Sequence, residues 1–276
     1  MFAIGLCAIL TLSGFAGPQC AIATRQVYPY SQSAGTFSLP YDQKVISSCT
    51  VPGTIALAFD DGPYSYTKEL LGILKKYGAK GTFFVNGQNR DSIKHYGPLL
   101  QQEIGAGHQI GSHTWDHKLR LDKASHSEIL SEMNTLDNAL CGLIGRSPTY
   151  MRPPYLAINE TVLKILKGYH VITTDLDTGD GAGSSVAQSF KRFRNGVEAG
   201  HSLLLAHDTL PKTVEELAEK MLQHLRTKKI KAVTVGECLG DGEENWYRSC
   251  DNLTPPSQLQ NQAVDREEIH QDILRR

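Results

Sequence analysis

The sequence predicts an α/β protein built on a parallel sheet with helices packed outside it. Short apolar runs alternate with longer amphipathic runs from Thr54 to Val235, the pattern that repeated strand and helix units produce. The 276 residues leave room for one large domain of this class with ends to spare. A hydrophobic content of 40%, with 28 basic against 29 acidic side chains, matches an ordinary soluble domain. Periodicity leaves an open doubly wound sheet and a closed barrel both standing. Both architectures place ligands at the C-terminal ends of their strands, so polar residues directly after apolar runs are the candidates for chemistry.

The elements follow in chain order. Phe2 to Phe15 is almost wholly apolar and Ala21-Ile22-Ala23 supplies a small-x-small cleavage pattern, so residues 1–23 read as a signal peptide. The apolar run is shorter than the ~20 residues that span a bilayer, and no stable membrane association is expected. Residues 24–49 are rich in Ser, Tyr, Gln and Pro without a sustained period, an irregular arm. Residues 50–250 form the expected main domain. Its first buried strand is Thr54 to Phe59, followed by a helix over Tyr66 to Tyr77 and a strand over Thr82 to Val85. Further helices are expected at Tyr96 to Ala106, Ser125 to Leu143, Glu160 to Lys167, Ser184 to Asn195 and Val214 to Arg226. Further strands are expected at Tyr169 to Thr174, Ser202 to Ala206 and Ala232 to Val235. Residues 251–276 open on Pro255-Pro256-Ser257-Gln258 and read as a flexible tail.

Export would leave Cys49, Cys141, Cys238 and Cys250, an even four that suggests disulfides. Pairing Cys49 with Cys238 would tie the chain entering the domain to the chain leaving it; Cys141 and Cys250 stay open. Asn159 and Asn252 each begin a glycosylation sequon. A nucleic-acid partner is not expected, because the nearest basic run, Lys228-Lys229-Ile230-Lys231, is short enough to be a solvated helix end. Nothing in the sequence sets an oligomeric state.

Four strand ends carry the functional signal. Asp60 and Asp61 close the first apolar strand before Gly62-Pro63 turns the chain away. His113 and His117, four apart, follow Gln109-Ile110-Gly111 and can converge on one ion. Two histidines plus one of the aspartates would make a metal site with a position open to water. Asp116, His108 and His126 nearby read as solvated surface groups. The rigid stretch Arg152-Pro153-Pro154-Tyr155 could hold Arg152 and the Tyr155 backbone N–H in place. The apolar run Ser202 to Ala206 delivers His207 to the same rim.

In this order the segments resemble the polysaccharide deacetylase family, also called the NodB homology domain or carbohydrate esterase family 4. Ala58 to Pro63 resembles its Thr-Phe-Asp-Asp-Gly-Pro motif, with Ala58 for Thr; His113 to His117, Arg152 to Tyr155 and Leu205-Ala206-His207 match three more. Asp177-Thr178-Gly179-Asp180 meets a fifth in part, with Gly181 at the family's aromatic position, and Thr174 to Thr178 looks most like the fungal chitin deacetylases. The resemblance implies a distorted (β/α) barrel of about seven strands with helices outside. It implies Asp61, His113 and His117 as metal ligands, with Zn2+ the expected ion and Co2+ an alternative. Asp60 would be the general base for the attacking water and His207 the acid that protonates the leaving amine. The Tyr155 N–H would stabilise the oxyanion, Asp180 would orient His207, Arg152 would orient Asp60, and Leu205 would line the acetyl pocket. The implied substrate is chitin or its oligosaccharides, converted to chitosan and acetate outside the cell or in a cell wall. An acetylxylan esterase, a peptidoglycan deacetylase and an inactive chitin-binding protein are the alternatives, the last favoured only by Gly181.

Overall fold

The computed structural model describes residues 44–252. The signal peptide, most of the arm and nearly all of the tail lie outside the described residues, so those expectations have no counterpart here. Among the described residues, twelve short strands are β1 (Val45–Ile46), β2 (Thr54–Ala56), β3 (Ala58–Asp60), β4 (Thr82–Val85), β5 (Gln109–Ser112), β6 (Ser147–Pro148), β7 (Tyr150–Met151), β8 (His170–Ile172), β9 (Leu176–Asp177), β10 (Leu204–His207), β11 (Lys231–Val233) and β12 (Tyr247–Arg248). Seven α-helices are α1 (Thr67–Tyr77), α2 (Gly97–Gly105), α3 (His126–Ile144), α4 (Glu160–Ile165), α5 (Val186–Glu198), α6 (Ala218–Lys228) and α7 (Val235–Leu239).

Eight strands make one sheet in the order β1-β8-β7-β5-β4-β3-β10-β9, every pairing parallel. The two end strands are not paired with each other, so this is an open, distorted (β/α) barrel. Of its strands, β3, β4, β8 and β10 fall on runs expected as strands, β5, β7 and β9 were not among those expected, and β1 is a correction. Val45–Ile46, assigned from sequence to the irregular arm, pairs with β8 and extends the sheet. A second difference is the break at Leu57. The apolar run Thr54 to Phe59 divides into β2, which pairs with β11, and β3, which pairs with β4 and β10. An unbroken hydrophobic run carries no mark of a change of partner.

Strand alternation sorts the side chains into an inner and an outer core. Phe59, Phe83, Val85, Ile110, Leu204 and Ala206 pack outward against α1, α2, α3, α5 and α6, while Ala58, Phe84 and Tyr150 point inward. Gly111 has no room for a side chain because the Phe84 ring lies 2.5 Å from where its Cβ would be. Ser125 and Ser185 begin α3 and α5 with reciprocal capping boxes to Glu128 and Gln188, which satisfies backbone N–H groups that a helix start otherwise leaves unpaired. Helix α5 runs three residues beyond the expected Asn195, and a π-helical turn at Thr213–Leu217 precedes α6.

Two disulfides are formed. Cys49–Cys238 joins the entering chain to α7, and Cys141–Cys250 joins α3 to the last described turn. Arg248 adds an ion pair of 2.7 Å to the buried Asp137 of α3. Asn159 is exposed and caps α4, accepting the Val162 N–H. Asn252 ends the described segment. No helix among the described residues is long and apolar enough to cross a membrane.

Candidate active site

The register of two neighbouring strands begins the site. In the β3–β10 pairing His207 lies opposite Asp60 and Ala206 opposite Phe59. Phe59 and Ala206 face the outer core, so alternation turns Asp60 and His207 together into the barrel. The same rule acts on β7. Tyr150 is in the inner cluster and Met151 packs on the other face in a separate cluster with Met133 of α3 and Val162 of α4, so Arg152 points inward, fully buried.

Asp61, His113 and His117 present ligand atoms within 4.8 Å of one another. The Asp61 Oδ1 lies 3.7 Å from His113 Nε2 and 3.5 Å from His117 Nε2. Ligand atoms on a tetrahedral ion with bonds of about 2.1 Å stand about 3.4 Å apart, so the set fits a divalent metal. Two further observations support the fit. Asp61 Oδ1 is buried without a hydrogen-bond partner among the described residues. His113 Nδ1 lies 2.7 Å from the Arg152 carbonyl oxygen, which only accepts, so the proton sits on Nδ1 and the Nε2 lone pair is free. Burial drives the His113 pKa down to about 3 against the attraction of Asp61, keeping the imidazole in its ligating neutral form.

Beside this set lie two carboxylate pairs of opposite character. Asp60 Oδ1 accepts from Arg152 Nη1 at 2.8 Å. Burial pushes the Asp60 pKa up and Arg152 pulls against it, which favours a group able to take a proton. Arg152 Nη2 is held by the carbonyls of Thr173 and Leu204, with its guanidinium over the Phe84 ring. Asp180 accepts from His207 Nδ1 at 2.9 Å and from the His207, Gly181, Thr178 and Thr213 donors around it. Burial alone would lower the His207 pKa, yet Asp180, with the charges of Asp60 and Asp61, raises it to about 9. His207 is thus a proton donor at neutral pH with Nε2 as its free nitrogen.

A cavity of about 420 Å³ is lined by Asp60, Asp61, His113, His117, Tyr155, Leu205 and His207, with Arg90, Asp177 and Gly181 on its walls. Tyr155 is exposed and stands edge-on to His117, with its hydroxyl donating to the His117 carbonyl. Among the described residues, five of the six non-glycine residues with positive φ belong to this region, namely Asp61, Thr114, His117, Tyr155 and Leu156. Backbone strain of this kind concentrates at functional sites. Gly181 packs against His207, whose Cε1 is 2.5 Å from where a Cβ would be, so with His207 in this orientation the position has no space for a ring.

With the geometry in hand, similarity to known proteins decides the family. A profile described as polysaccharide deacetylase matches residues 47–172. A protein of Pestalotiopsis sp named chitin deacetylase is 44% identical over 211 residues, covering 74% of this chain and 70% of that protein. The chain belongs to the polysaccharide deacetylase family. A protein of Arthroderma benhamiae named probable peptidoglycan-N-acetylglucosamine deacetylase is 47% identical over 225 residues, covering 79% of this chain but 51% of that protein. The solved chitin deacetylase of Colletotrichum lindemuthianum superposes with a TM-score of 0.72 at 39% identity, covering 75% of this chain and 96% of that one.

Every residue expected from the deacetylase motifs lies at this cavity or directly behind it. Asp180 and Arg152 stand behind His207 and Asp60. His108 departs from expectation: it is buried, accepts the Gly81 N–H, and has its pKa pushed down to about 4 by burial. It lies at the start of β5, away from the solvent its neighbourhood in sequence suggested. His126 is exposed at the start of α3.

Sequence reasoning missed two buried residues. Asp208, one residue past His207, lies against Gly62 and accepts from Thr67 Oγ1, which itself accepts the Tyr64 N–H at 2.9 Å. Asn86, directly after β4, bonds to the segments on either side. Both follow apolar runs, which was the one signal available for finding them.

Proposed function

We propose that the chain is a secreted, metal-dependent deacetylase that removes N-acetyl groups from N-acetylglucosamine polymers, chitin first among them. The carrying observation is the convergence of Asp61, His113 and His117 with Asp60 and His207 on one cavity. Similarity to fungal proteins named chitin deacetylase supports the substrate. The two disulfides suit an oxidising compartment outside the cytosol.

A divalent ion held by Asp61, His113 and His117, zinc by donor set with cobalt as the alternative, supplies Lewis acidity toward the acetyl oxygen and makes water a better acid. Asp60, fixed by Arg152, takes the proton of the attacking water. The Tyr155 backbone N–H donates to the acetamide oxygen as negative charge gathers there, a contact typically worth about 3 kcal/mol of barrier. His207 Nε2 delivers a proton to the leaving nitrogen, and acetate and a glucosamine unit result. Leu205 meets the acetyl methyl.

The deciding experiment measures acetate release from N-acetylchitooligosaccharides, acetylxylan and peptidoglycan, with and without a chelator. Chelator-sensitive release from the chito-oligosaccharides is expected. Release from peptidoglycan alone would move the substrate to the polymer named for the Arthroderma relative, and binding without release from any polymer would end the catalytic reading.

The pH profile tests His207 separately. Activity requires the imidazolium, so kcat falls as pH rises through the His207 pKa. Asp180→Asn removes the main group raising that pKa, letting it drop toward the ordinary value of about 6.5. The alkaline limb of the kcat profile is expected to move to lower pH. A nearby dication opposes the imidazolium, so the shift between wild type and variant is diagnostic, not the position of the limb. An unmoved limb would assign it to another group.

A further inference from the structure

The three expected ligands sit on two loops, Asp61 after β3 and the histidines after β5, and the strand between them, β4, supplies the residue that joins the loops. Asn86 directly follows that strand and is 2% exposed. Its backbone N–H donates to the carbonyl of Gly62, next to Asp61, at 2.9 Å. Its side-chain Nδ2 donates to the carbonyls of His113 and, at 3.1 Å, Thr114. Its Oδ1 accepts from Asn89 Nδ2 at 3.0 Å. An asparagine amide has two N–H donors and one carbonyl, and here all are used.

The neighbouring contacts extend this junction. The His113 N–H donates to the Val85 carbonyl at 2.8 Å and the Gln88 N–H to the Trp115 carbonyl at 2.7 Å. The Trp115 ring occupies the space where a side chain on Gly87 would begin. Residues 85–88 therefore run fastened along 113–115. The segments being fastened are the ones that resist their own geometry: Asp61, Thr114 and His117 have φ of 76, 67 and 58°. Left-handed backbone at residues with a side chain persists where surrounding contacts over-determine it. The two carbonyls that Asn86 grips flank the Cα of Thr114, one before it and one after.

We infer that Asn86 is a positioning residue that sets the separation between Asp61 and the His113–His117 pair, and through it the affinity and geometry of the metal site. This rests on the metal-site reading above. The chemistry selects asparagine: an aspartate of the same shape would turn carboxylate oxygens toward two carbonyl oxygens and lose both donors.

The test compares wild type, Asn86→Asp and Asn86→Ala by Zn2+ affinity, using competition with a chromophoric chelator, and by the absorption spectrum of the Co2+-loaded protein. Circular dichroism of the metal-free proteins reports the fold. Residues that hold metal ligands in place typically cost 10- to 100-fold in affinity when replaced, so a loss of about that size is expected together with an altered Co2+ spectrum. Should both variants fail to fold, Asn89→Ala removes only the bond that orients the Asn86 amide, and a loss of about 2- to 10-fold is expected. Unchanged affinity and spectrum in a folded Asn86 variant, or in Asn89→Ala where neither folds, would overturn the inference. A wild-type protein that binds neither ion would instead remove the metal-site reading, and this inference with it.

Discussion

Asp60→Asn is expected to lower kcat on N-acetylchitooligosaccharides by about three orders of magnitude, inside the range general acid–base groups typically contribute. The amide keeps the shape of the carboxylate and an oxygen for Arg152, but it cannot take a proton from water. Asp60 is placed for that task by burial, which raises its pKa, and by Arg152, which holds it opposite His207 in the strand register. The same substitution leaves Asp61, His113 and His117 intact, so Zn2+ affinity should change little. That contrast separates a base from a ligand. Loss of zinc in Asp60→Asn would make Asp60 part of the metal set, and retained turnover would assign the base elsewhere.

Arg152→Met is expected to destabilise the fold by about 3–5 kcal/mol, the usual cost of removing one partner from a buried ion pair. Arg152 is among the largest fully buried side chains, and its loss leaves the Asp60 carboxylate and the carbonyls of Thr173 and Leu204 without their donor. Burial disfavours both members of the pair, pushing Asp60 up and Arg152 down. Such a pair is explained by positioning a base more readily than by stability.

The sign of the pH dependence follows from Asp60. Its folded pKa is already above the unfolded value and rises further without Arg152, so the folded variant binds the extra proton. The variant's deficit therefore shrinks as pH falls toward the ordinary carboxylate range and widens as pH rises through the folded pKa. Urea unfolding midpoints of wild type and variant at pH 5 and pH 7.5 check this. A deficit that does not change with pH would mean Asp60 is not the group left unpaired.

The candidate site residues were legible because they cluster after apolar runs, and the chemistry of a paired carboxylate or a pair of histidines four apart needs no knowledge of the fold. The longer apolar strands were legible for the same local reason, and Thr82 to Val85 forms as expected, whereas two-residue strands such as Tyr150–Met151 and Leu176–Asp177 were not. The misreadings came from contacts remote in sequence. Val45–Ile46 has no strand signal of its own and enters the sheet by pairing with β8, more than a hundred residues away. His108 is a polar residue after two glycines with nothing local to mark it as buried, but Phe83 and the Gly81 N–H close over it. Asn86 and Asp208 carry no motif; the Asn86 side chain bonds to the loop after β5 and Asp208 to Thr67 at the start of α1.

What the sequence by itself determined is the repeated strand and helix pattern, the order of the strand-end motifs and the side chains able to hold a metal or move a proton. What only the tertiary structure decided is which of those side chains meet. The β3–β10 register sets Asp60 beside His207, alternation on β7 turns Arg152 inward to Asp60, and Asn86 joins the loops that follow β3 and β5. Residue type and period are local properties that a single chain displays. Register and loop-to-loop hydrogen bonds are settled by the packing of the whole sheet, which no local stretch encodes.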